Sequence, residues 1–367
     1  GPTNSAYIAR DDAFVQKPIG TGPYQYKETT ANGEIVLEAN PHYFKGAPKI
    51  ARFVAKPFAD QNIMNQALMY NNIDMSVLVN PRNVPEIQGD KRLRLQPYNA
   101  LSYSFFGYNV RNPLLADARV RKAFTLAINR GEMLNAFFNN QGAVISGPFA
   151  PGSWAYNLDV KPLPYNPGEA EKLLGQAGFK KGSDGIMARD GKKLVLALKV
   201  PIAQESEATK RVVLAFKNYL QRVGVQANVE FLEWQAWKEA VFLTHDFDIM
   251  FASWVFDDSA DISSLFHSAE IGAWRNNFGG YSNQEVDSLL VESKLTLDHE
   301  KRRTIYRKLH EMLAEENPYT FLWTLTNYAA YHKKVRGVQI HPYKFFSYAD
   351  TWFIGEAEAK AEAAVKK

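Results

Sequence analysis

The chain has no cysteine among its 367 residues. That excludes thiolate zinc sites, disulfide frameworks and a cysteine nucleophile, and it suits a protein that folds in an oxidising compartment without mispairing. Concentrated positive charge is also missing. Lys and Arg number 43 against 39 Asp and Glu, and the formal net charge of +4 is spread without a basic block. Neither nucleic acid nor a membrane surface is therefore an expected partner. No apolar run approaches the roughly 18 residues of a spanning helix, so no membrane insertion of this chain is expected. No signal-peptide pattern opens the sequence, as expected of a processed, soluble piece.

Motifs that carry chemistry are equally scarce. The seven histidines show neither His-x-x-x-His nor His-Glu-x-x-His spacing, so they read as surface or satisfied core residues and no metal site follows from them. A Gly-x-Ser-x-Gly elbow is absent, and carboxylates without a recognisable partner base do not make a hydrolase. "GTGPY" (20–24) lacks the Lys-Ser/Thr of a phosphate loop, and Pro23 removes an amide that would face phosphate, so it reads as a turn. No cofactor is implied.

What the chain has in quantity is aromatic side chain, with 7 Trp, 18 Tyr and 23 Phe. Most aromatics belong to cores, yet a binding cleft also uses them together with a few polar anchors. Tyr103 to Val110 is an aromatic, β-favouring run, and Val120, Ala123, Phe124, Ala127 and Ile128 fall at helical spacing within 119–128. The segments 147–157 and 161–167 are Pro- and Gly-rich loops. A further helix is signalled by Asn166 as N-cap, Pro167 in its first turn, Glu169 three positions after the cap and Gly178 as the stop.

Asp184-Gly185 and Asp190-Gly191 flank short extended segments as hairpin turns do. Strands are then predicted over 193–200, 225–232 and 247–252, with helices over 208–220 and 234–243 between them. This βαβαβ order predicts an α/β sheet with parallel strands, and such sheets bind ligands beyond the carboxyl ends of their strands. The stretch "FASWVFDDSADISSLFHS" (251–268) lies at one such end. Its carboxylates Asp257, Asp258 and Asp261 lack the Gly and the terminal Glu of an EF-hand loop, which argues against calcium. Two readings stay open: a solvated acidic loop capping a helix that begins near Ser263, or part of a ligand site.

Seven segments taken together resemble one family. "KPIGTGPYQYKE" (17–28), "IVLEANPHYFKGAPKI" (35–50), "NQALMYNNIDMS" (65–76), "GYNVRNPLLADARVRKAFTLAINR" (107–130), "GPFAPGSWAYN" (147–157), "YNPGEAEKLLGQAGF" (165–179) and "GGYSNQEVDSLL" (279–290) occur in the order found in family 5 solute-binding proteins. That class includes the dipeptide- and oligopeptide-binding proteins of ABC importers. The similarity runs from about residue 15 to 352, and no single motif is specific; their order is.

The resemblance implies a periplasmic binding protein-like α/β fold (class II, cluster C), here as one complete lobe plus an incomplete first lobe. Family members carry about 150 to 200 further residues before the Gly-Thr-Gly-Pro-Tyr segment, the size of a domain. The chain is accordingly expected to be a C-terminal fragment. Residues 1–130, completed by 336–354, would belong to the first lobe, 131–335 would form the second, and 355–367 would be a frayed tail.

In function, the resemblance implies a non-enzymatic component that captures peptides between two lobes and delivers them to ABC transporter permease subunits. Its place would be the periplasm, or the extracellular face of the cytoplasmic membrane if lipid-anchored. Asp257 matches the position where peptide binders keep an Asp for the ligand ammonium, three residues after Trp254, and main-chain groups of Ser253 and Val255 would pair with the peptide. Tyr108 and Asn109 match a cleft-lining position on the opposite lobe. The Phe256-Asp257-Asp258 sequence departs from the commoner Ala-Asp-Tyr form, so Asp258 could share the task. Alternatives are a binder of an opine, sugar or metal chelate on the same scaffold, or an α/β hydrolase.

Overall fold

Alternating residues near the start of the chain form an antiparallel meander of β1 (Tyr24–Thr29), β2 (Ile35–Ala39) and β3 (Arg52–Ala55). The computed structural model describes residues 18–202, 207–256, 259–341 and 344–355; the expected frayed tail lies outside them from residue 356 onward. After β3, Asp60 caps α1 (Gln61–Met69) by accepting hydrogen bonds from the amides of Asn62 and Ile63. Then come β4 (Met75–Ser76), α2 (Val84–Gly89) and β5 (Leu93–Asn99). Leu68, Ile87 and Leu93 form a small core with Ala330 from late in the chain.

The next stretch is β6 (Ser102–Tyr108), α3 (Ala118–Ala127), α4 (Arg130–Phe138), β7 (Gly142–Val144) and α5 (Pro167–Gln176). Asn166 does cap α5, accepting from the amide of Glu169 at 3.0 Å, and Gly178 adopts φ +90° just beyond the helix, a conformation open to glycine because it lacks Cβ. The strands β8 (Lys180–Lys181), β9 (Met187–Arg189) and β10 (Lys192–Lys193) pair antiparallel. Asp190 and Gly191 both have positive φ, the requirement of a two-residue hairpin turn that follows the strand twist.

The alternation predicted from sequence follows as β11 (Val195–Pro201), α6 (Glu207–Arg222), β12 (Gln226–Leu232), α7 (Trp234–Lys238) and β13 (Ile249–Val255). The helix expected over 234–243 continues past α7 as a π turn, Glu239–Leu243. Three helices, α8 (Ser263–Phe266), α9 (Gln284–Leu295) and α10 (His299–Glu316), precede β14 (Tyr319–His332). Strands β15 (Val335–Arg336) and β16 (Phe353–Ile354) close the described chain.

The chain divides into two units, one of residues up to Tyr98 with those from Asn327 onward, the other Asn99–Thr326. In the second unit the strand order is β12-β11-β13-β6-β14. The expected parallel pairing holds for β11 with β12 and β13, but β13 then runs antiparallel to β6, and β6 antiparallel to β14. The sheet is mixed because β6 enters it from earlier in the chain. For the same reason residues 99–130, expected to group with the first lobe, sit in this unit: β6 lies between β13 and β14, and α3 buries Val120, Phe124 and Ala127 against one face of the sheet. That face carries α3 to α6, whereas α7 to α10 cover the other with Trp237, Leu265, Leu290 and Leu309. Replacing Asn166 by Ala should destabilise the protein by about 1 kcal/mol, the usual worth of an N-cap; urea unfolding of both proteins measures it.

Candidate functional site

β13 is held fully on one side and barely on the other. Against β6 its ladder runs from Ile249↔Tyr108 to Val255↔Ser102. Against β11, among the described residues, it consists of Leu198↔Ile249 and Lys199↔Met250. β11 meanwhile stays with β12 as far as Pro201↔Leu232, and the Ile202 amide donates to Leu232 at 2.7 Å. Past Met250 the two parallel strands therefore part at their carboxyl ends, which is where α/β sheets hold ligands.

Which main-chain groups this frees follows from the pairing. The Phe256 amide donates to Leu101 at 2.7 Å, so Phe256, Trp254 and Ala252 direct their N–H and C=O toward β6. In an antiparallel pair the alternate residues point the other way. Those residues are Ser253 and Val255, whose amides and carbonyls form the parted edge.

The two sheet faces differ at this place. On one, Phe251 and Phe106 are buried beneath α6, with Phe106 stacked on Phe216 at 3.7 Å between ring centres. Two residues further along each strand, Ser253 and Ser104 share a hydroxyl hydrogen bond of 2.9 Å, and Val255 is 71% exposed. On the other face Trp254 is half-buried and stacks with Phe105 at 6.1 Å and Phe278 at 6.2 Å. Trp254 is thus the outer member of an aromatic layer and packs against the hydrophobic core.

Of the residues singled out from sequence, Ser253, Trp254 and Val255 come together here. Tyr108 and Asn109 do not. Tyr108 pairs with Ile249 at the far end of β6, about 14 Å along the strand from Ser104 at some 3.4 Å per residue. Its ring is 1% exposed, its hydroxyl lies 2.6 Å from Thr320 Oγ1, and burial raises its pKa well above the ordinary value. Asn109 is buried, and its Nδ2 donates to the carbonyls of His245 and Phe247 at 3.0 Å each. Both make buried contacts within the fold, and the antiparallel register carries them away from the parted edge.

Asp257 and Asp258 lie outside the described residues. Asp261 accepts from the Ser263 amide at 2.9 Å and pairs with Lys294 at 3.3 Å. Burial pushes its carboxyl up, but the Ser263 hydrogen bonds and the Lys294 ammonium together hold it below the usual range. It thus holds the first amide of α8 from one residue before the N-cap, Ile262. Ser104 went unremarked in the sequence, although the alternation Ser102-Tyr103-Ser104-Phe105 is the period-2 pattern of a strand with one polar face.

A serine and a histidine do meet elsewhere, with Ser146 Oγ 2.9 Å from His310 Nε2. The Asn157 amide donates to His310 Nδ1 at 3.1 Å, so the ring proton sits on Nε2 and is given to Ser146. A histidine in that tautomer cannot take the serine proton, and burial lowers its pKa to about 4. The arrangement is the reverse of a nucleophile and its general base. Among the described residues no cluster of His, Asp or Glu suits a metal, and no helix is long and apolar enough to cross a membrane.

The fold is of the α/β class, in which ligands are held beyond the carboxyl ends of the strands. Residues 2–273 match the family model described as bacterial extracellular solute-binding proteins, family 5 Middle; the chain belongs to that family. It is 30% identical over 350 residues to the oligopeptide-binding protein AppA of Bacillus subtilis, covering 93% of this chain and 63% of that one. It is 25% identical to the dipeptide-binding protein of Escherichia coli over 89% of this chain and 60% of that protein. The chain therefore spans less than two thirds of these relatives. The structure of Bacillus subtilis AppA in complex with a nonapeptide superposes with a TM-score of 0.74 at 29% identity, covering 95% of this chain and 69% of that one. A putative peptide binding protein AppA from Clostridium difficile gives 0.81 at 21% identity, covering 95% and 70%, a likeness of fold. The periplasmic binding protein-like α/β fold expected from sequence is thus the fold of this chain.

Neutral His310 makes stability depend on pH. Its pKa is about 4 folded and about 6.5 unfolded, so between these values the unfolded chain binds a proton that the folded one does not. Stability should rise by about 3 kcal/mol from pH 4 to 6.5 and then level off. In His310→Gln that part of the rise should vanish, as urea unfolding across the pH range would reveal.

Proposed function

We propose that this protein is the peptide-capturing component of an ABC importer, acting outside the cytoplasmic membrane, in the periplasm or lipid-anchored on its extracellular face, and delivering its ligand to permease subunits. The observation that carries the proposal is the parted edge of β13. An extended peptide adds to such an edge through its own main chain, gaining hydrogen bonds that do not depend on its side chains. Ser253 and Val255 supply the complementary amides and carbonyls, Trp254 flanks one face, and Asp257, two residues beyond the strand, receives the ligand ammonium. A charge-assisted bond of that kind is strong when water is excluded.

The reading is supported by the peptide-binding names of the relatives and by the nonapeptide complex of Bacillus subtilis AppA. The protein works as a binder and not as an enzyme, consistent with the tautomer of His310. The unit Asn99–Thr326 serves as the ligand-binding lobe, which is the expected 131–335 with β6 and α3 added and without 327–335.

Two substitutions test different parts of the site. Val255→Pro removes one amide from the parted edge without touching the ladder to β6, where proline is tolerated; it should weaken a bound peptide by about tenfold, roughly 1.4 kcal/mol. Asp257→Asn should cost about 2 to 5 kcal/mol of peptide affinity, as loss of one partner of a desolvated charge pair does. Calorimetry with peptides of three to nine residues reads both. Unchanged affinity in Val255→Pro would remove strand addition as the mode of capture.

A further inference from the structure

Away from β13, a cavity of about 280 Å³ lies between α3, α10 and the loop at 160–163. Its inner wall includes Arg130, Ser146 and Asn317, each buried. Arg130 is 4% exposed and donates to the carbonyls of Ile145 at 3.1 Å, Phe321 at 2.5 Å and Leu163 at 2.7 Å. No carboxylate forms an ion pair with it among the described residues. Burial lowers its pKa to about 10, so it stays charged at neutral pH, and the hydrogen bonds recorded for it go to carbonyl oxygens. A buried cation without a counter-ion is a costly arrangement.

The outer wall carries both signs. Lys122 of α3 and Lys161 of the loop stand among the lining residues with Glu311 and Glu315 of α10. The two glutamates, four residues apart, occupy one helix face, where like charges repel. Neither enters an ion pair among the described residues, although the Asn157 amide group donates to Glu311 at 3.0 Å. One small space is thus bordered by an unneutralised buried guanidinium, two ammonium groups and two carboxylates.

We infer that this cavity is a second binding site, for a small zwitterion of the α-amino acid class. A plain anion would meet the glutamates and a plain cation the guanidinium. A molecule carrying both charges gives a carboxylate to Arg130 and Lys122 and an ammonium to Glu311 and Glu315. The volume is near the lower end for small-molecule pockets, about 300 Å³, which suits a single amino acid and not a peptide. None of these residues belongs to β13, so the site is independent of the peptide reading.

Calorimetry on the whole chain with L-alanine, propionate and ethylamine as probes tests the inference, since the last two each keep one charge of the first. Alanine should bind saturably, and each single-charge probe at least about tenfold more weakly. The exposed double substitution Glu311→Gln/Glu315→Gln should weaken alanine about tenfold and leave propionate unchanged or tighter. The melting temperature without probe should stay within a few degrees of the parent, which checks folding. Equal binding of propionate and alanine would overturn the zwitterion in favour of a simple anion site. Absence of saturable heat with all three probes would overturn the site itself.

Discussion

β13 is gripped from one side. Its antiparallel ladder to β6 is continuous, while its parallel ladder to β11 ends, among the described residues, at Lys199↔Met250, and the freedom of the Ser253 and Val255 main chain depends on that inequality. The grip on β6 is reinforced by stacked rings on one face: Trp254 on Phe105, Phe105 on Tyr319 at 4.2 Å, and Phe278 on Tyr319 with planes 6° apart. Each such pair adds about 0.5 to 1.5 kcal/mol beyond burial. β11 has no comparable hold on β13 at this end. It finishes in Pro201, which has no amide to donate, and the next amide, of Ile202, is taken by Leu232 of β12. The strands separate because each has a better partner on its other side.

The opposite end of the sheet is tied by polar groups that have left water. Arg121 of α3 donates to the carbonyls of Glu316 and Asn317, where α10 ends with Asn317 in the left-handed conformation at φ +46°. A cation at a helix carboxyl end meets both unsatisfied carbonyls and the negative end of the helix dipole. Thr125, one turn further along α3, bonds Asn317 Oδ1 at 3.1 Å and Thr320 Oγ1 at 2.6 Å. Thr320 in turn meets Tyr108. This chain of contacts positions α3, α10, β14 and β6 together, and it accounts for Tyr108 being a structural residue. A hydroxyl used in a buried network is unavailable to a ligand, and freeing it would leave its partners unsatisfied.

Local features were legible in the sequence and long-range pairings were not. The cap at Asn166, the turn at Asp190-Gly191 and the alternation from β11 to β13 depend on residues a few positions apart, where side-chain chemistry restricts the backbone directly. The insertion of β6 beside β13 joins residues about 150 positions apart, and nothing in 102–108 names its partner strand. The parted edge follows from that insertion, so the amides of Ser253 and Val255 pointed to a site from sequence only through family resemblance. Tyr108 of the "GYN" motif shows why: its surroundings are set by Thr320 and Thr125, and Thr320, which its hydroxyl meets, is distant in sequence.

The parted edge also constrains what kind of selectivity it can support. Main-chain pairing fixes the direction and register of an extended ligand while ignoring its sequence, so any preference must come from the faces. Those faces differ. In the proposed strand addition, ligand residues directed to one side would pass the small hydroxyls of Ser104 and Ser253, which offer exchangeable hydrogen bonds. Residues directed to the other side would approach Trp254, whose ring is backed by Phe105 and Phe278. Because a strand turns successive side chains to opposite faces, tolerance and restriction would alternate along such a ligand with period two. A surface capturing ligands in that way would accept many sequences with one main-chain geometry and concentrate its discrimination at every second position.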